Sequence, residues 1–142
     1  MKAATRGRLR DSLKLHEGLR LKPYKDSVGK LTIGYGRNLD DVGIRVNEAA
    51  YMLEGDIDVA EQGLLIHFSW METLDDVRLA VLVEMAYNLG IPRLSGFKNT
   101  LAAVHDGEFD DAAVGMLASK WAEQVGQRAL TLAERMRTGE WG

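Results

Sequence analysis

The chain has no cysteine, two prolines and three histidines among its 142 residues. Without thiols there is neither a disulfide framework nor a thiolate metal site. His16, His67 and His105 are scattered, so the imidazoles form no metal-ligand cluster. Proline is too rare for a linker, and there is no internal repeat or low-complexity segment, so the chain reads as a single folding unit. No apolar run is long enough to span a bilayer. The opening stretch MKAATRGRLRDSLKLHEG is basic but lacks the apolar core of a secretory signal. A soluble product that accumulates in the cytoplasm is expected.

A hydrophobic content of 46% with 27% charged residues suits a globular domain with one respectable core. The charge is unevenly placed. Residues 1–37 carry ten Lys/Arg against three Asp/Glu, residues 38–111 four against fifteen, and residues 112–142 four against three. The basic start favours an anionic polymer at close range. Nucleic acid is disfavoured by the net charge of −3 and because the same basic stretch holds the carboxylate pattern described below.

Helical spacing of Leu9 and Leu13, closed by Gly18, predicts a helix over about 5–17. Residues 22–38 alternate turn residues with short β-prone pieces and predict two or three strands. Asn47 is expected to cap a long helix reaching about residue 66, with the stripe Ala50, Leu53, Ile57, Ala60 and Leu64. Gly55 and Gly63 within it suggest close packing or bending. Thr73 with Asp76 resembles a capping box for a helix over about 74–89, apolar on nearly every side and therefore central. Further helices are expected at about 97–105, 109–118 and 127–137. Trp121 and Trp141 are expected to be core anchors.

The chain is organised around the segment from Leu15 to Asn38, LHEGLRLKPYKDSVGKLTIGYGRN. Glu17 sits at a helix end, where a carboxylate is unfavourable with respect to the helix dipole. Asp26 lies in the turn Asp-Ser-Val-Gly, and Thr32 opens an alternating strand. A helix end followed by a hairpin that doubles back can face two acids across a cleft, as glycosidic cleavage requires. Spacing alone leaves the alternative that both acids are solvated surface charges.

The string H-E-G-x-R-x-x-x-Y-x-D-x-x-G-x-x-T-I-G-Y-G resembles the catalytic segment of the phage lysozymes of the T4 type, the endolysin muramidases of glycoside hydrolase family 24. The resemblance extends from about Leu9 to Trp141. It implies an α+β, mainly helical two-lobed lysozyme fold spanning residues 1–142 as one domain, with the active site between the lobes. The small β-containing lobe would cover about 18–46 and the linking helix about 47–66. The helical lobe would cover about 67–142 plus the N-terminal helix.

The implied activity is metal-free, cofactor-free hydrolysis of the β-1,4 bond between N-acetylmuramic acid and N-acetylglucosamine in peptidoglycan, causing bacterial lysis. Glu17 matches the family's general acid, which needs a raised pKa from burial or a nearby negative charge. Asp26 matches the aspartate that stabilises positive charge at the anomeric carbon and handles the attacking water, and Thr32 the threonine near that water. Asn88, in Ala86-Tyr87-Asn88-Leu89-Gly90, matches a substrate-binding amide. Arg128 matches an arginine that pairs with the catalytic glutamate. Arg37 and Asp56 match a pair joining the small lobe to the long helix. His16 reads as an exposed helix-end residue, and Glu84 as a paired charge whose partner the sequence does not name. The segment Leu39 to Val46 is shorter than in larger members, which implies a reduced small lobe.

The implied partner is the glycan strand alone, acted on by a monomer without membrane insertion and released from the host cytoplasm through a holin-made lesion. Two rivals remain at this point. A lytic transglycosylase needs only the acid/base Glu, and a retired glycan-binding module would have lost an acid.

Overall fold

A computed structural model describes residues 1–142. The fold is α+β: eight helices and one three-stranded antiparallel sheet. The chain divides into two compact units, Met1–Tyr51 and Met52–Gly142.

In the first unit, helix α1 (Ala3–Glu17) ends where Gly18 turns to φ 71° and returns its N–H to the Lys14 carbonyl at 3.0 Å. Leu9 and Leu13 share a face as expected, yet both remain exposed. Strands β1 (Arg20–Lys25), β2 (Leu31–Gly34) and β3 (Arg37–Asn38) follow in the spatial order β1-β2-β3. Tyr24 pairs with Thr32, Lys25 with Leu31, and Ile33 with Arg37. Pro23 falls in β1, an edge strand with an irregular register between Arg20 and Tyr24. A missing N–H is tolerated at such a place.

The β3-to-helix connection is closed by polar contacts. The Leu31 N–H donates to Asp40 Oδ2 at 2.7 Å, and Asn38 and Asp41 exchange two hydrogen bonds, each 3.0 Å. Helix α2 (Val46–His67) then begins. Its N-terminus is closed by Glu48 and not by the expected Asn47: Glu48 Oε1 accepts the Arg45 N–H at 2.9 Å, the glutamate half of a capping box. The same carboxylate takes both ends of the Arg37 guanidinium, at 2.9 and 2.8 Å, while Arg37 Nη1 also donates to the Gly43 carbonyl at 3.1 Å. The expected pairing of Arg37 with Asp56 is therefore replaced by one with Glu48. Both acids lie on α2, but only the one in its first turn can serve the fork and the cap together. α2 runs unbroken through Gly55 and Gly63. A Cβ at Gly63 would stand 3.2 Å from Ile91 Cδ1, a close approach, whereas Gly55 faces open space.

In the second unit, a 3₁₀ turn (Ser69–Thr73) precedes α3 (Asp76–Leu89). The expected Thr73 cap is corrected to Asp75, which accepts the Arg78 N–H at 3.1 Å. Thr73 is engaged in its own turn, donating to the Trp70 carbonyl at 2.8 Å. α3 buries one face, Val81, Leu82, Met85, Ala86 and Leu89, rather than every side. Its other apolar residues Leu79, Ala80 and Val83 line an open groove of about 580 Å³.

Helices α4 (Ile91–Ser95), α5 (Lys98–His105), α6 (Phe109–Leu117), α7 (Lys120–Val125) and α8 (Gln127–Thr138) complete the unit. The short α4 and α7 were not expected. Pro92 lies in the first turn of α4, where its locked φ suits a helix start. Ser119 caps α7 by accepting the Ala122 N–H at 3.2 Å. α3, α5, α6 and α8 enclose the core, where Met71, Met85, Met116 and Met136 are fully buried. Trp121 is buried as expected. Trp141 is 60% exposed, contrary to expectation: α8 ends at Gly139 in the left-handed region, and the ring lies beside the Arg135 guanidinium, 4.8 Å from its centroid.

Two outcomes follow from this packing. Leu132→Ala, at a fully buried position on α8, should lower unfolding free energy by about 2–5 kcal/mol in urea titrations. Leu130→Ala, 53% exposed on the same helix, should change it by less than about 1 kcal/mol. The Arg37 fork and the Arg45 N–H lower the Glu48 carboxyl from 4.5 to about 2. A carboxyl lowered by folding stabilises the fold above its unfolded pKa and ceases to do so as pH falls through its folded one. Wild type should therefore lose stability between pH 4.5 and 2 more steeply than Glu48→Gln, and a carbon-detected NMR titration should place Glu48 near the bottom of that window.

Candidate active site

Three expected catalytic residues lie in the first unit, and two of them are tied to the backbone of one residue. Asp26 follows β1 and opens the turn to β2. Its Oδ1 accepts the N–H of Val28 at 3.0 Å and of Lys30 at 2.8 Å, and the turn is closed by Asp26 N–H to Lys30 O at 2.9 Å and Gly29 N–H to Asp26 O at 3.0 Å. This is the self-bonding that places Asp at turns. It occupies one carboxylate oxygen and leaves Oδ2 for other work. Thr32 is 3% exposed, and its hydroxyl donates to the Lys30 carbonyl at 2.9 Å. The Lys30 N–H thus holds Asp26 while the Lys30 C=O holds Thr32. With its proton so directed, Thr32 Oγ1 presents lone pairs and acts as an acceptor.

Glu17 closes α1 and is exposed. The expected burial is thus absent from the folded chain. Its carboxyl lies against the backbone of Gly36, in the turn between β2 and β3: a Cβ built there would fall 2.5 Å from Glu17 Oε2. One helical turn earlier, Lys14 Nζ lies 5.5 Å from the Tyr35 ring centroid. The end of α1 and the hairpin tip therefore meet at two successive residues. His16 is exposed, with Nδ1 3.4 Å from Ser12 Oγ. The unit carries eleven Lys/Arg against six Asp/Glu, so the acids sit in a positive surrounding.

Asn88 and Arg128 lie in the second unit. Asn88 is exposed near the end of α3, and its side-chain oxygen accepts the Trp121 indole N–H at 2.8 Å. That bond fixes the amide, so the NH₂ is the end left to face a ligand. Arg128 lines the 580 Å³ groove together with Glu84, and the two come within 3.8 Å. Glu84, whose partner the sequence did not name, thus meets a residue 44 positions further on. Both side chains are partly exposed, so the pair adds little stability. Trp121 as the residue that orients Asn88, Lys30 as the clamp on Asp26 and Thr32, and Gly36 as the neighbour of Glu17 escaped sequence reasoning. The first two act through an indole N–H and a backbone, neither of which leaves a pattern at a fixed spacing. For Gly36, the glycine in T-I-G-Y-G was a signal read only as turn chemistry.

The arrangement offers no group of His, Cys, Asp or Glu that could hold a metal ion, and no helix is long and apolar enough to cross a membrane. It offers two carboxyls and an acceptor hydroxyl on a helix end and a hairpin, a set suited to acid-assisted displacement by water.

The chain is similar to several known proteins. The chain is 25% identical over 160 aligned positions to "Probable T4-type lysozyme 1" of Dictyostelium discoideum, covering 92% of this chain and 94% of that protein. It is 27% identical over 165 positions to "Probable T4-type lysozyme 2" of the same organism, with the same coverage. An "Endolysin" of Acyrthosiphon pisum secondary endosymbiont phage 1 is 25% identical over 115 positions, covering 78% of this chain and 75% of that protein. A family model described as phage lysozyme matches residues 14–139, from within α1 to the residue that ends α8. The chain belongs to the phage lysozyme family and is a lysozyme-type glycosidase that breaks down peptidoglycan.

Proposed function

We propose that the chain is an endolysin that hydrolyses the β-1,4 bond between N-acetylmuramic acid and N-acetylglucosamine. The observation that carries this reading is the double tether on Lys30. It ties both side chains to one residue and leaves Asp26 Oδ2 and the Thr32 lone pairs outside those bonds, and in this reading the two hold one water. That water gives one hydrogen to Asp26 Oδ2 and the other to Thr32 Oγ1, so its own lone pair is aimed at the anomeric carbon. Glu17 protonates the leaving glycosidic oxygen as the C1–O bond breaks. The water oxygen bonds to C1 and passes a proton to Asp26, and solvent exchange restores both carboxyls. Glu17 is exposed, so the bound sugar supplies the desolvation that keeps its proton in place.

Attack by water from the opposite face inverts the anomeric centre. It calls for a carboxyl separation in the wider range, roughly 6.5–9.5 Å. Asn88 and Arg128 are the proposed substrate-binding residues, the amide donating to a sugar carbonyl and the guanidinium to an anionic or carbonyl group. The biological role proposed is host lysis: a monomer stored in the host cytoplasm and released to the wall through a holin-made lesion.

Digestion of purified peptidoglycan with mass-spectrometric analysis tests the reading. Wild type should release reducing muramic ends, and Glu17→Gln should lower the rate by at least about 10²-fold. Anhydro ends from wild type would instead make it a lytic transglycosylase, and binding without cleavage would leave a glycan-binding module. Proton NMR of the first product should show the α-anomer. Thr32→Val removes one water-orienting hydrogen bond, worth about 1.4 kcal/mol, and should reduce kcat about tenfold with KM little changed. Thr32→Ser should recover most of that loss.

A further inference from the structure

Gly36 stands apart from the other glycines of the hairpin. Gly34 and Gly36 flank Tyr35, and both have positive φ, 70° and 78°. A side chain would strain the backbone equally at either. They differ in what that side chain would meet. At Gly34 a Cβ finds nothing within 4 Å. At Gly36 it would lie 2.5 Å from Oε2, 3.0 Å from Cδ and 3.4 Å from Cγ of Glu17. The first distance is far inside van der Waals contact, and all three atoms belong to the carboxyl end of one side chain. These are its three nearest neighbours, so the space a Cβ would occupy is the space the carboxyl uses.

We infer that Gly36 is a positioning residue for the reaction: its missing side chain forms the recess in which the Glu17 carboxyl rests. The inference builds on the proposed role of Glu17 as the general acid. The recess matters because Glu17 has three rotatable bonds, and its exposure gives it room to swing. A proton donor must be held near its productive geometry, and displacement by about 1 Å can cost about 10²-fold in rate. The lower part of the side chain is already directed by the end of α1, where Gly18 turns the chain away. The hairpin tip then supplies the recess in which the carboxyl settles. Because Gly36 and Thr32 belong to the same β2–β3 hairpin, the recess also ties the position of the acid to that of the water-binding residues. Alanine, the smallest substitution, is already too large.

Two measurements on the full chain separate this role from ordinary backbone strain. In kcat on peptidoglycan, Gly36→Ala should fall about 10²-fold while Gly34→Ala stays within about threefold of wild type. The limb of the pH–kcat profile that reports the general acid should move in Gly36→Ala and hold still in Gly34→Ala. The second measurement is a thermal-unfolding cycle that makes no use of activity. Gly36→Ala should lower Tm more than Gly34→Ala in the wild-type background. In the Glu17→Ala background, where the collision partner is gone, the two substitutions should lower it equally. Equal Tm losses in both backgrounds, or equal kcat for the two glycine variants, would overturn the inference. Should Glu17→Gln retain full activity while the Tm cycle behaves as described, the recess stands as a packing feature. The reading of Glu17 as the acid would then be the part that fails.

Discussion

One carboxylate, that of Glu48, gathers the first unit together. It receives the two-pronged guanidinium of Arg37 from β3 and the N–H of Arg45 at the start of α2, while Arg37 reaches on to the Gly43 carbonyl between them. A strand, a loop and a helix start are thus referred to a single group. Arg suits this place better than Lys, because its fixed fork meets both carboxylate oxygens while a further N–H remains for the loop. Since β3 pairs with β2 through Ile33–Arg37 and Thr32–Asn38, the position of the hairpin that carries Thr32 and Gly36 descends from the same contact.

The site uses small groups twice. Asp26 spends one oxygen on the turn and keeps the other, so the residue that shapes the loop is also available to a water. Thr32 gives its proton to a backbone carbonyl and in doing so becomes an acceptor. Such economy suits a short hairpin with little buried area of its own. Preorganised polar groups of this kind need little rearrangement when charge develops. The second unit does the opposite and relies chiefly on apolar volume, with polar contacts such as Trp121 to Asn88 and Arg78 to the Met136 carbonyl added around its core.

How far the sequence could be read depended on the range of the interaction involved. Helix existence followed from local periodicity and, for α1, from Gly18, which closes it. The motif from Glu17 to Thr32 pointed to the acids because the hairpin that brings Asp26 and Thr32 together is local. Caps were misplaced by a residue or two, at Asn47 for Arg45–Glu48 and at Thr73 for Asp75. Several side chains compete for each helix start, and only geometry chooses among them. The partner of Arg37 was misread because the resemblance pointed to Asp56, and α2 carries five acids that charge alone does not tell apart. The partner of Glu84 and the ring that holds Asn88 went unseen, because they are 44 and 33 residues away. The short helices α4 and α7 carry too few residues for periodicity to speak.

The methionine-rich core of the second unit has a chemical consequence. Met71, Met85, Met116 and Met136 are sealed from solvent, and the chain has no thiol to compete for oxidant. A peroxide reaching the folded protein meets only the exposed thioethers of Met1 and Met52. The four inner sulfurs become reactive only when the unit opens, and each sulfoxide formed then places a polar group where the core must close again. Oxidation is therefore self-reinforcing: every opening event that is caught makes the next one easier. In an oxidising medium the lifetime of the protein is set by how often this unit breathes.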